Sequence, residues 1–167
     1  MPKVSTRTLT LTALLVAIEI VLSRFLSISA WNIKIGFAFV PVAIAALLLG
    51  PVWAGITAAL ADFLGAILFP VGPYFPGFTL TAFFMGAVYG IFFYRKQSLT
   101  RVVLAVAVHQ FVLSLLLNTL WISVLYGSPF GPLLLTRIPQ SVLLAVVQVV
   151  VIEGLVRLLP QLKRSLT

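Results

Sequence analysis

The chain has 167 residues, 62% hydrophobic and 8% charged, with a net charge of +8 and a mean hydropathy of +1.21. Soluble domains carry about 25% charged residues, so this composition excludes a water-soluble globular domain and leaves an integral membrane protein. Cysteine is absent, which removes disulfides, thiolate metal sites and a cysteine nucleophile.

A hydrocarbon core about 30 Å thick takes about 20 apolar residues per helix. The length therefore accommodates an all-α bundle of six transmembrane helices in a single membrane domain, residues 1–167, with no room for a soluble one. The basic start, Met1 to Arg7, precedes an apolar run without a small-residue cleavage site, so it reads as the flank of a retained first helix rather than a signal peptide.

Helix 1 is expected over about 8–26. It places Ala13 and Ala17 four residues apart on one face, and small residues at that spacing let another helix approach closely inside lipid. A polar loop follows with Arg24, Trp31 and Lys34. Helix 2 (about 35–49) ends at Gly50-Pro51, a tight turn into helix 3 (about 52–69), which carries Asp62 and Gly65. The stretch from Phe69 to Thr79 then breaks the apolar pattern: Pro70, Pro73, Pro76, Gly72 and Gly77 forbid a continuous helix. Its aromatics, Phe69, Tyr74, Phe75 and Phe78, suit either a pocket wall or an interfacial belt. Helix 4 (about 77–94) and a basic turn with Arg95, Lys96 and Arg101 lead to helix 5 (about 102–126), which bears His109, Asn118 and Trp121. Helix 6 (about 133–159) has Arg137 near its start and Glu153 near its end.

Six crossings put both termini on one side. Eight of the eleven cations (Lys3, Arg7, Arg95, Lys96, Arg101, Arg157, Lys163 and Arg164) then share that side. The positive-inside bias makes it cytoplasmic. Arg24, Lys34 and Arg137 fall on the outer side, against the bias.

Those three cations, the aromatic loop and the outer end of helix 5 describe a cup open to the outside. Its cations suit carboxylates or phosphates, and Trp31, Tyr74, Phe78 and Trp121 suit stacking on a planar ring, which together point to a small, flat, anionic solute. For each cation the plainer role is snorkelling to headgroups. Asp62, about 11 residues into helix 3 and so roughly 16 Å along it, is an intramembrane charge and by default functional. It suits hydrogen bonds from an amino-pyrimidine edge or a pair with an inward cation. His109 lies at similar depth, suited to a ligand contact or an interhelical hydrogen bond. Glu19 suggests a partner for Arg24, and Glu153 with Arg157 an i, i+4 pair.

Absences narrow the class further. There is no Gly-rich phosphate loop with a following Lys, no metal-ligand cluster and no Ser-His-Asp spacing. The chain is equipped to bind a solute and not to drive it, so an energy source has to come from a partner. A membrane-embedded enzyme, with His109 and Asp62 as its pair, and a purely structural subunit are the other classes.

Particular stretches carry a resemblance: Arg24-Phe25 with Ser27-Ile28, the run from Lys34 to Pro41, Gly50-Pro51, and Asp62 to Gly65. Most specific is Phe69 to Thr79, joined by Asn118 to Trp121 and Arg137 to Pro139. Over nearly the whole chain these residues resemble the substrate-binding S components of energy-coupling factor (ECF) vitamin transporters, most closely the folate-specific ones. The resemblance implies a multi-pass subunit of a prokaryotic plasma membrane that captures folate from outside. It implies docking through Ala13 and Ala17 on a membrane scaffold subunit bound to two cytoplasmic ATPases, and delivery inward by toppling. No cofactor belongs to this chain in that scheme, since the partners hydrolyse ATP. Asp62, Asn118 and His109 then serve the polar ring edges, Tyr74 and Trp121 stack, and Arg24, Lys34 and Arg137 hold the tail or ring oxygens. Related S components take riboflavin, thiamine or biotin on the same fold, which leaves another vitamin as the alternative guest.

Overall fold

The computed structural model describes residues 5–29 and 34–165. Lys3 and Trp31 lie outside them, as do the side chains of Lys163 and Arg164. Six helices form the described chain: α1 (Thr6–Arg24), α2 (Phe39–Leu49), α3 (Pro51–Leu68), α4 (Pro76–Phe93), α5 (Leu99–Tyr126) and α6 (Phe130–Ser165). Local chemistry sets their ends. Ser5 caps α1 through Thr8 N at 3.2 Å, and Ser98 caps α5 through Arg101 N at 3.4 Å. Pro51 and Pro76 open α3 and α4, where the missing N–H has no intrahelical partner to lose. Gly50, at φ +89°, turns α2 directly into α3 in a backbone region closed to most side chains.

Five helices, α1 and α3 to α6, are long and apolar enough to cross a membrane. α2 has 11 residues and rises only about 17 Å. The expected start of the second helix at residue 35 is corrected to Phe39. Lys34–Ile35 is instead a strand, β2, paired antiparallel with β1 (Ile28–Ser29). Two contacts hold that segment extended: Gln140 Nε2 donates to the Lys34 carbonyl at 2.7 Å, and Gly36 packs so closely that a Cβ there would lie 2.7 Å from Ser27 Cβ. The last two helices each begin three residues earlier than expected, at Leu99 and Phe130.

α2 sits at the centre of the bundle, with Val42, Ala43, Ala45 and Ala46 fully buried against α1, α3, α4 and α6. Lipid tails give helices no hydrophobic reason to associate, so close packing of small residues does the work. The α3–α4 seam shows it: a Cβ on Gly86 would run into the Ala54 carbonyl, and one on Gly90 into Pro51 Cα. Tyr89 and Phe93 fill the adjoining core, both at 0% exposure, with ring centroids 5.2 Å apart.

Within α5, residues Val108–Leu117 wind with π-helical pitch, and the Asn118 N–H bonds Leu113 O, five residues back. In an α-helix, at 100° per residue, His109 and Asn118 would stand on opposite faces. At roughly 4.4 residues per turn for a π-helix, nine residues make about two full turns, and both side chains reach one cavity.

Candidate functional site

Successive helices alternate in direction, so the ends of α1, α3 and α5 and the starts of α4 and α6 gather at one end of the bundle. There they enclose a cavity of about 560 Å³, within the ~300–1,000 Å³ of small-molecule sites. Helical spacing supplies its walls. Glu19 and Ser23 are one turn apart on α1, Asp62 and Ala66 on α3, and Phe78, Thr81, Ala82 and Met85 form a stripe on α4. On α5 the stripe runs Asn118, Ile122, Leu125 and Tyr126, while α6 contributes Arg137 and the loop before α4 contributes Val71 to Phe75.

Eight of the nine candidate ligand-binding residues line this cavity: Arg24, Lys34, Asp62, Tyr74, Phe78, His109, Asn118 and Arg137. Trp121 does not. It falls one position off the α5 stripe and lies behind Phe75, their centroids 5.6 Å apart. Its Nε1 donates to Thr81 Oγ1 at 3.0 Å, and that hydroxyl donates to Gly77 O at 2.9 Å. A Cβ on Gly77 would come within 2.7 Å of the indole and 2.6 Å of the Phe75 ring. Trp121 thus sets the position of Phe75, which faces the cavity.

Arg24 pairs with Asp62 rather than with Glu19. Its Nη2 lies 3.9 Å from Asp62 Oδ1 and donates to the Asp62 carbonyl at 3.4 Å, and Gly65 leaves the space its guanidinium occupies. Thr79 Oγ1 donates to Asp62 Oδ2 at 2.8 Å, which leaves that hydroxyl to accept from Tyr74 Oη at 3.1 Å. The chain Arg24–Asp62–Thr79–Tyr74 ties the aromatic loop to α1, and Phe63 meets the Tyr74 ring edge-on at 5.7 Å.

His109 is engaged between helices: Nδ1 lies 3.0 Å from Tyr89 Oη and 3.1 Å from Gln148 Oε1. The Tyr89 hydroxyl also donates to Gln148 Oε1 at 3.0 Å, so the three side chains close a polar triangle between α4, α5 and α6. His109 and Asp62 share no hydrogen bond. Glu153 accepts from Arg157 at 3.0 Å, as their spacing leads one to expect. Lys34 is exposed at the cavity rim, yet desolvation by the surrounding cavity walls, with repulsion from Arg24, holds its ammonium below the usual lysine range, and Asp62 and Glu19 oppose both.

Two cavity residues are charged, buried and without a hydrogen bond or ion pair among the described residues. Arg137 is 5% exposed with Nε and Nη1 unpartnered, and Glu19 is 6% exposed with Oε2 unpartnered. Asn118 Oδ1 is also without a partner. Glu19 is the residue that the sequence reading undervalued. The available signal was its place in an apolar helix one turn from Ser23, on the face next to Arg24. Outside the cavity, Ala13 and Ala17 are exposed on α1 beside the exposed Leu9, Leu14, Ile18 and Val21.

Comparison with known proteins adds to this geometry. The family described as "ECF transporter, substrate-specific component" matches residues 7–156. The folate transporter FolT of Clostridium novyi (strain NT) is 41% identical over 152 residues, covering 90% of this chain and 88% of that protein. The FolT of Leuconostoc mesenteroides is 35% identical over 127 residues, covering 75% and 68%. A crystal structure of FolT bound with folic acid superposes with a TM-score of 0.87 at 36% identity, covering 92% of this chain and 94% of that one.

Proposed function

The chain belongs to the substrate-specific components of ECF transporters, and from that premise we propose that it captures folate in the cavity at the Arg24–Arg137 end of the bundle. It is a multi-pass membrane transport subunit and not an enzyme. The observation that carries the choice of ligand is the cavity itself: aromatic walls at Tyr74, Phe75 and Phe78 beside buried charges without protein partners. A flat pterin fits such walls, and a dicarboxylate tail answers Arg137 and Lys34. The relatives whose names specify a substrate are folate transporters.

In this reading the termini face the cytoplasm, and the cavity opens outward before the subunit topples. The exposed Ala13–Ala17 face of α1 docks on a scaffold subunit that carries two ATPases, because the chain has no phosphate loop of its own. Thermal denaturation of the purified chain against a vitamin panel tests the ligand. Folate at 100 times its dissociation constant adds about 2.7 kcal/mol, a rise of roughly 5–10 °C for a chain this size, while riboflavin, thiamine and biotin leave the midpoint in place. A shift from one of those three and none from folate overturns the choice.

A further inference from the structure

Resting on the folate reading, we infer that Glu19 is the specificity-determining residue that reads the hydrogen-bond donors on the ligand's ring. The cavity wall holds two carboxylates, and their situations differ. Asp62 is already satisfied, with one oxygen accepting from Thr79 at 2.8 Å and the other facing Arg24 at 3.9 Å. Glu19 is 6% exposed, lines the same cavity and has no hydrogen bond or ion pair among the described residues. A buried carboxylate is costly unless donors reach it, and neither Arg24 nor Lys34, though both line the cavity, comes within ion-pairing distance.

A pterin carries such donors side by side, the 2-amino group and the neighbouring ring N–H. A carboxylate accepts both at once, as it does from the fork of a guanidinium. The two carboxylates of the tail only accept hydrogen bonds and are repelled by Glu19. The donor edge is therefore the part of the molecule that Glu19 selects, and a site built around a buried acceptor rejects analogues lacking the donor, because the acceptor is then left unpaired.

The test compares folic acid with an analogue whose 2-amino group is replaced by methyl, by calorimetric titration of the purified chain and of Glu19→Met and Asp62→Asn variants. The unmodified chain prefers folic acid by roughly 10- to 150-fold, the span of one hydrogen bond to a charged group. In Glu19→Met the preference falls to within about threefold. In Asp62→Asn both ligands weaken and the preference persists. A Glu19 that merely balanced Lys34 would lower both affinities together and leave the ratio intact, which overturns the inference. Equal affinity of the unmodified chain for the two ligands overturns it without any variant having to fold. An unmodified chain that binds neither ligand overturns the folate reading, and the inference falls with it.

Discussion

Arg137→Met is expected to move stability and binding in opposite directions. The guanidinium is 5% exposed in the second turn of α6, with Nε and Nη1 unpartnered, and an arginine within an apolar span costs up to roughly 2.5–3.5 kcal/mol, the value at the span's centre. Methionine keeps the unbranched length and removes the charge. The ligand-free variant should therefore gain about 2–3 kcal/mol, seen as a melting midpoint roughly 4–12 °C higher. Folate loses a charge-assisted contact worth about 1.5–3 kcal/mol, so its dissociation constant rises roughly 10- to 150-fold. Thermal denaturation without ligand, paired with calorimetric titration, reads both quantities on one preparation. A variant that melts lower than the parent and binds folate as well as before refutes the reasoning, since Arg137 would then be a structural residue.

Asp62→Asn opens the Arg24–Asp62–Thr79–Tyr74 chain. It should cost about 1–3 kcal/mol and speed amide exchange in the loop before α4, measured by mass spectrometry. Gly90→Val drives a branched side chain into the Pro51 backbone, and overpacking of this kind costs about 3 kcal/mol or more; thermal denaturation should show a large drop. Lys34 makes folate affinity fall as pH rises through its lowered pKa, earlier than the usual lysine value of about 10.4 predicts, because the anion prefers the charged ammonium. Free-chain stability rises over the same interval, since the unfolded lysine still holds a proton that the folded one has released; Lys34→Arg should remove both trends. Ala13→Leu with Ala17→Leu should leave folate binding by the isolated chain unchanged and abolish co-purification with the scaffold and ATPase subunits.

Much of the bundle was legible because its signals are local. The proline and glycine punctuation from Phe69 to Thr79 marked the break between α3 and α4, and Gly50-Pro51 marked the turn between α2 and α3. The start of α2 was not legible, because the apolar run from Ile35 reads as helix until Lys34–Ile35 pairs with Ile28–Ser29 and Gln140 holds the Lys34 carbonyl. The π-helical stretch of α5 was equally hidden. It depends on hydrogen-bond register rather than residue type, yet it decides that His109 and Asn118 share one face. Candidate residues came from charge and aromaticity, which placed eight of the nine in the cavity wall but could not tell Trp121, one position off the stripe, from its neighbours and passed over the apolar lining such as Ala82, Met85 and Ile122. The same reasoning offered Glu19, five residues away in sequence, as a partner for Arg24 and an unspecified inward cation as a partner for Asp62; the pair that forms is Arg24 with Asp62 on the adjacent helix. Pairing across helices is set by packing, and that is where sequence spacing stops informing.

Capture of folate by this chain alone is the central claim. Calorimetric titration of the purified chain with folic acid, without ATP or any other subunit, tests it most directly. The account predicts saturable one-to-one binding that survives the complete absence of nucleotide and partners. Heats indistinguishable from dilution, in a preparation shown to be folded, would contradict it.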